Sequence, residues 1–212
     1  PVAAHHWRES GNWALVGARK AFVVHSEAEL AAEYQQVARA DRRVLIQQLV
    51  PGPDTGLLIV GCYVDMHGVW RAAFGSRKLL QTPQGFGTGC IVETADAVEL
   101  YQRTRELLAS IGYHGIAEVE YKRDAVTGRY FLIEVNPRPW DQLALGRSCG
   151  ADLTYAAYCD HAGIHAPEAP QREESLKWIA EDAFLIECLR LVWRRDAALA
   201  GLFRNARGRR CY

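Results

Sequence analysis

Glu120 and Glu134, fourteen residues apart, are followed by Asn136, Pro137 and Arg138, and these are the residues of the chain best suited to holding a hard cation beside an anion. They stand in two β-rich runs, Gly115-Ile116-Ala117-Glu118-Val119-Glu120-Tyr121-Lys122 and Arg129-Tyr130-Phe131-Leu132-Ile133-Glu134-Val135-Asn136, around the polar turn 123–128. Strand side chains alternate, which predicts an apolar face of Ala117, Val119, Tyr121, Phe131, Ile133 and Val135. The opposite face then carries Glu118, Glu120, Lys122, Leu132, Glu134 and Asn136. With an odd number of residues in the turn, cross-strand partners share parity and the carboxylates of Glu120 and Glu134 reach one cation. Two carboxylates and an amide oxygen suit Mg²⁺, whose other positions are filled by water and phosphate. No paired His or Cys suggests zinc. Glu118 shares the face and is an alternative ligand, although the spacing favours Glu120. Pro137 holds the exit extended, so Arg138 is expected beside the metal face, where a guanidinium suits a phosphoryl or acyl-phosphate oxygen.

The flanking elements are read from periodicity. Ala21–Val24 and Val44–Val50 are strand-like. Between them Ser26-Glu27-Ala28-Glu29 is a capping box that opens a helix running to about Ala40. Pro51-Gly52-Pro53 stops the second strand. Leu57–Val64 and Val69–Phe74 form a hairpin around Asp65-Met66-His67-Gly68. Arg77 and Lys78 follow, adjacent cations that point to opposite faces of a strand, so one of the two faces the site. Residues 84–89 are a glycine-rich loop. An amphipathic helix is expected over 95–111 with Val98, Tyr101, Leu107 and Leu108 on its face, and Asp152 caps another to about Ala162. Residues 165–170 read as a linker, and 173–203 as a helical tail. His5-His6 and Cys159-Asp160-His161 do not converge as ligands or as nucleophile and base, and are assigned no role.

Composition sets the class. With 212 residues, 49% hydrophobic and 24% charged, the chain buries a core without staples. Lys+Arg and Asp+Glu are 25 each, which gives no long-range field for nucleic acid. No apolar run approaches a membrane span, so neither nucleic acid nor membrane is expected as a partner. Six cysteines without metal or disulfide spacing read as reduced thiols, hence a cytoplasmic protein. The chain opens on Pro1 and its one methionine is Met66, which suggests a piece of a longer protein.

Ile133-Glu134-Val135-Asn136-Pro137-Arg138, with Glu120 upstream, resembles the metal-binding hairpin of ATP-grasp enzymes, closest to carbamoyl phosphate synthase large chains and related carboxylate–amine ligases. Lys20 in Arg19-Lys20-Ala21-Phe22, the hinge Ile46-Gln47-Gln48-Leu49-Val50-Pro51-Gly52, and Arg77-Lys78 extend the likeness over most of residues 1–165. The resemblance implies an α+β, ATP-grasp fold: a small lobe at 1–50, a large lobe at 51–166 with the hairpin, and a helical tail at 167–212, with a preceding lobe of the same protein as partner. It implies that Glu120, Glu134 and Asn136 hold Mg²⁺, or Mn²⁺ in its place, on ATP. Lys20 would reach the phosphates, Gln47, Gln48, Leu49 and Val50 the adenine, and Asp54 the ribose. Arg138 and Lys78 would steady the transferred phosphoryl group. The implied reaction is ATP- and Mg²⁺-dependent ligation of a small carboxylate to an amine through an acyl-phosphate, the alternative being a nucleotide-binding regulatory module without turnover.

Overall fold

A computed structural model describes residues 14, 16–17, 19, 21–82, 85–165, 175–194 and 199–211. The chain divides into two compact units, Pro1–Leu49 and Val50–Tyr212.

In the first unit helix α1 spans Glu27–Val37. Ser26 caps it, its hydroxyl accepting from Glu29 N–H at 3.2 Å, while the Glu29 carboxylate accepts from His25 N–H at 2.8 Å. The first bond satisfies an amide which the first turn would otherwise leave open, and the second ties down the residue before the cap. Val37 and Val16 are buried together, with Phe22, Ala40 and Val44 packed on them. The expected strands at 21–24 and 44–50 are absent among the described residues, both stretches being irregular. A β-rich run becomes a strand only when another strand pairs with it, and no described residue of this unit does so.

The second unit is built on one sheet. A 3₁₀ turn at Asp54–Gly56 leads into β1 (Leu57–Val64), followed by β2 (Trp70–Thr82) and β3 (Thr88–Thr94). Helix α2 (Val98–Ser110), strands β4 (Gly115–Arg123) and β5 (Tyr130–Asn136), and helices α3 (Leu143–Ser148) and α4 (Leu153–Ala162) come next. Strand β6 (Leu176–Ile179), helices α5 (Glu181–Arg194) and α6 (Leu199–Ala206), and β7 (Arg209–Arg210) complete the described residues. Their strand order is β5-β4-β1-β2-β3-β6-β7, antiparallel throughout except for β6 and β7.

Alternation along β1 divides its side chains between two cores. Leu58, Val60, Cys62 and Val64 pack with Ala117, Val119 and Tyr121 of β4 under Leu100 and Leu108 of α2. Tyr63 turns to the other face and joins Phe74, Trp140, Leu145 and Leu153, where α3 and α4 lie. Of the expected face of α2, Leu108 is buried and Tyr101 and Leu107 pack beside it, joined by buried Leu100 and Thr104, whereas Val98 is exposed. Thr104 belongs inside because its hydroxyl donates to the Leu100 carbonyl at 2.8 Å and lies 2.9 Å from the Tyr121 hydroxyl.

The tail differs from the expected continuous helix. Leu176–Ile179 pairs with β3, Ile179 opposite Ile91 and Trp178 opposite Val92, and α5 starts only afterwards. The expected linker at 165–170 lies largely outside the described residues.

The β1–β2 turn carries a titratable lock. Asp65 is fully buried, accepts from the N–H groups of His67 and Val69 at 2.8 and 2.9 Å, and accepts from Arg71 Nε at 2.7 Å. Burial by itself would raise its pKa. The two amides and the Arg71 guanidinium outweigh burial and hold the carboxyl below its ordinary value. A carboxylate depressed in the folded state contributes stability above its unfolded pKa of about 3.9, and that contribution is lost as pH falls through the folded value. Urea unfolding at pH 7 and pH 3 should therefore show a smaller acid loss for Asp65→Asn than for the parent. Equal losses would remove Asp65 from the acid response.

Candidate functional site

The β4–β5 hairpin places Glu118 opposite Asn136 and Glu120 opposite Glu134. On the other side of β4, Glu118 faces Gly61 and Glu120 faces Ile59. Ile59 in turn faces Ser76 of β2, and Lys78, two residues on, projects from the same face. The expected polar face is therefore real from Glu118 to Glu120 and from Glu134 to Asn136. Beyond it the register changes, with Tyr121 opposite Leu132, because β5 has a bulge at Ile133. One extra residue reverses the alternation, so Tyr130, rather than Phe131, packs on the α2 core. The expectation that Phe131 and Ile133 share the face of Val135 is corrected by that bulge.

Lys78 Nζ donates to both oxygens of Glu120, at 2.8 and 2.7 Å, and both residues are 5% exposed. Arg77 points the other way and pairs with Glu93, to which Lys177 Nζ also comes within 3.8 Å. Of the two adjacent cations, Lys78 is thus the one on the hairpin face. Asn136 Nδ2 donates to Glu118 Oε2 at 2.9 Å and to Glu134 Oε1 at 3.1 Å. Glu134 itself is exposed and Asn136 half-buried, so this end of the face is open to solvent. Arg138 is exposed on the segment leaving β5 and donates to the Pro139 carbonyl at 3.1 Å.

Charge is unbalanced here. Among the described residues, the ammonium of Lys78 meets Glu120 on a face that also carries Glu118 and Glu134. Burial, and after it the charge of Glu120, push the Glu118 carboxyl up to about 7, while Lys78 and the Asn136 amide oppose the rise. Crowded carboxylates, an amide and an excess of negative charge are the donor set of a hard divalent cation. Among the described residues no three His, Cys, Asp or Glu side chains converge on one point as they stand. Lys78 and Asn136 engage the carboxylate oxygens instead, so the set fits Mg²⁺ in chemistry and strand register, and its side chains must turn to chelate it.

The remaining expected residues are dispersed. Lys20 lies outside the described residues. Gln47, Gln48 and Leu49 are exposed in the irregular end of the first unit, and Val50 is buried at the start of the second. Asp54 opens the 3₁₀ turn and is partly exposed. Pro51 accepts from Ala125 N–H at 2.9 Å, which ties the Pro-Gly-Pro stop to the β4–β5 turn. Gly52 there has φ 136°, and an added Cβ would lie 3.2 Å from the Arg123 carbonyl oxygen. Sequence reasoning missed Gln142, whose buried amide donates to the Gly89 carbonyl at 3.1 Å and anchors β3 behind Lys78. No local pattern marks it, because its partner is 53 residues away. Glu118, by contrast, was legible from its parity with Glu120.

No family model matches the chain. Among curated proteins it is similar to D-aspartate ligase of Enterococcus faecium (strain Aus0004), 27% identical over 126 residues that cover 58% of this chain and 30% of that protein. It is likewise similar to D-alanine–D-alanine ligase of Pseudomonas putida (strain GB-1), 27% identical over 124 residues, 55% of this chain and 37% of that protein. The chain thus spans about a third of the length of these relatives. Its fold resembles the Campylobacter jejuni biotin carboxylase–βγ-ATP complex, with a TM-score of 0.56 at 18% identity over 69% of this chain and 34% of that one. It also resembles the biotin carboxylase domain of Hydrogenobacter thermophilus 2-oxoglutarate carboxylase, solved with MgADP, ADP and bicarbonate, with a TM-score of 0.54 at 15% identity and the same coverage. Hairpin and sheet thus give this chain an ATP-grasp fold, and over part of its length its sequence is similar to carboxylate–amine ligases.

Proposed function

We propose that this chain is the metal- and phosphate-holding part of an ATP-dependent ligase that joins a small carboxylate to an amine. The observation that carries the reading is the hairpin register: Glu120 opposite Glu134 and Glu118 opposite Asn136, with Lys78 against Glu120 on the same face. Glu120, Glu134 and Asn136 would hold Mg²⁺, which when bound neutralises charge on the ATP phosphates. The names of the two ligase relatives favour an amino acid as one substrate.

In this reading Lys78 and Arg138 supply positive charge on either side of the hairpin. The γ-phosphoryl group passes to the substrate carboxylate with release of ADP, and the amine then attacks the acyl carbon, forming the C–N bond as inorganic phosphate leaves and the amine gives up a proton. Such transfer needs positioned cations more than a covalent nucleophile. The cysteines do not offer one: burial raises the thiols of Cys62, Cys90 and Cys149, and Cys62 is pushed up to about 12. Asp54 would meet the ribose. Lys20, Gln47, Gln48, Leu49 and Val50 retain nucleotide roles on the family resemblance alone.

The test is the melting temperature of the chain with ATP, ADP and GTP, each with and without Mg²⁺, since a ligand of the folded state must raise it. A rise with adenine nucleotides that needs Mg²⁺ is expected, and no rise would overturn the reading for this chain. Phosphate release from ATP in mixtures of carboxylates and amino acids then separates ligation from binding without turnover.

A further inference from the structure

The pairing of Lys78 with Glu120 does more than supply a charge. Nζ sits 2.8 and 2.7 Å from the two Glu120 oxygens, and both residues are buried. Neither group can be left alone there, because an unpaired buried ion is strongly destabilising. Glu120 can therefore turn an oxygen to a divalent cation only as Lys78 lets go, since an ammonium and a divalent cation within a few ångströms repel in a poorly solvated site. Lys78 can let go only if another anion meets it.

We propose that Lys78 is a displaceable counter-ion that makes metal and phosphate binding interdependent: it holds Glu120 until a nucleotide phosphate takes its ammonium, and Glu120 then turns to the cation. The inference rests on the metal reading above. Lys78 lies on β2, across β1 from Glu120, so a modest rotation about its four-carbon stem changes partners without moving a strand. The coupling is reciprocal, so phosphate must favour metal by the same factor by which metal favours phosphate.

The experiment measures Mn²⁺ binding, by the paramagnetic resonance of free Mn²⁺, to the parent chain and to Lys78→Met, Lys78→Arg, Glu120→Gln and Glu134→Ala, each checked for folding by circular dichroism. Titrations are run without nucleotide and again with ADP. Lys78→Met, neutral and of similar length, should bind Mn²⁺ alone about tenfold more tightly than the parent. It should also show a smaller gain on adding ADP. Lys78→Arg, which keeps the charge, should stay close to the parent, and this comparison holds even if Lys78→Met folds poorly. Equal or weaker Mn²⁺ binding by folded Lys78→Met, with binding still weakened in Glu120→Gln, would overturn the counter-ion role while leaving the metal site in place. If Glu120→Gln and Glu134→Ala also bind as the parent does, the metal reading itself falls, and the inference with it.

Discussion

Alanine in place of Glu134 is expected to remove the Mg²⁺-dependent part of nucleotide binding, raising the Kd for Mg·ATP on the order of 100-fold or more while the melting temperature without ligand stays near that of the parent. The two halves of that expectation have separate causes. Glu134 is exposed, and its described hydrogen bond is the one from Asn136 Nδ2, so truncation strands no buried group and opens no cavity. Its loss nevertheless takes one carboxylate from a face where the donor set is Glu120, Glu134 and Asn136. Calorimetry with ATP at several Mg²⁺ concentrations reads the first half and thermal unfolding the second. An unchanged Mg·ATP affinity would withdraw the metal role from the hairpin.

The largest effect on folding is expected at Gly61, where valine should cost at least about 3 kcal/mol. A Cβ at this position would lie 2.7 Å from both Phe74 Cε1 and Trp140 Cη2, closer than real contacts allow. The two rings are stacked, with centroids 6.0 Å apart, and they lie in the core beneath α3 and α4. Gly61 is central in β1 between β2 and β4, so neither neighbouring strand can move aside without breaking the other's ladder. Gly61 pairs with Glu118, so a shift of β1 at this point would carry to the polar face. Urea unfolding of Gly61→Val against the parent measures the cost, and a loss below about 1 kcal/mol would show that the rings yield easily.

The features legible in the sequence are those set by near neighbours. Alternation in 115–122, the Ser26 and Asp152 caps and the hairpin around 65–68 all follow from contacts a few residues long, and the structure has them. The residues of the carboxylate face are legible in the same way, but their pairing is not: six residues separate Arg123 from Tyr130, an even rather than an odd turn, and the bulge at Ile133 brings Glu134 opposite Glu120. What escaped is decided at a distance. The bulge at Ile133 has no residue signature, and it reassigns Tyr130 and Phe131. Strand β3 begins in a stretch whose glycines read as a loop, and it forms because β2 and β6 flank it. Leu176-Lys177-Trp178-Ile179 merges by composition into the amphipathic run that follows, so only its partner, more than eighty residues earlier, makes it a strand. The choice between Arg77 and Lys78 likewise needed Glu93 and Glu120 in place. In the first unit the opposite happens, since Ala21–Val24 and Val44–Val50 carry the composition of strands and pair with none of its described residues.

Strand β6 also determines where the protein can be cut. Its pairing covers the flank of β3: Ala180 N–H donates to the Cys90 carbonyl at 2.9 Å, and Leu176 N–H to the Thr94 hydroxyl at 3.0 Å. A shortened chain ending near residue 165 would keep every proposed metal ligand, yet it would expose β3 as a bare sheet edge whose Cys90, Ile91 and Val92 are wholly interior in the longer chain. Open edges of that kind recruit strands from other molecules. A search for the minimal nucleotide-binding piece by truncation would then find a precipitate, and insolubility would be mistaken for loss of the site.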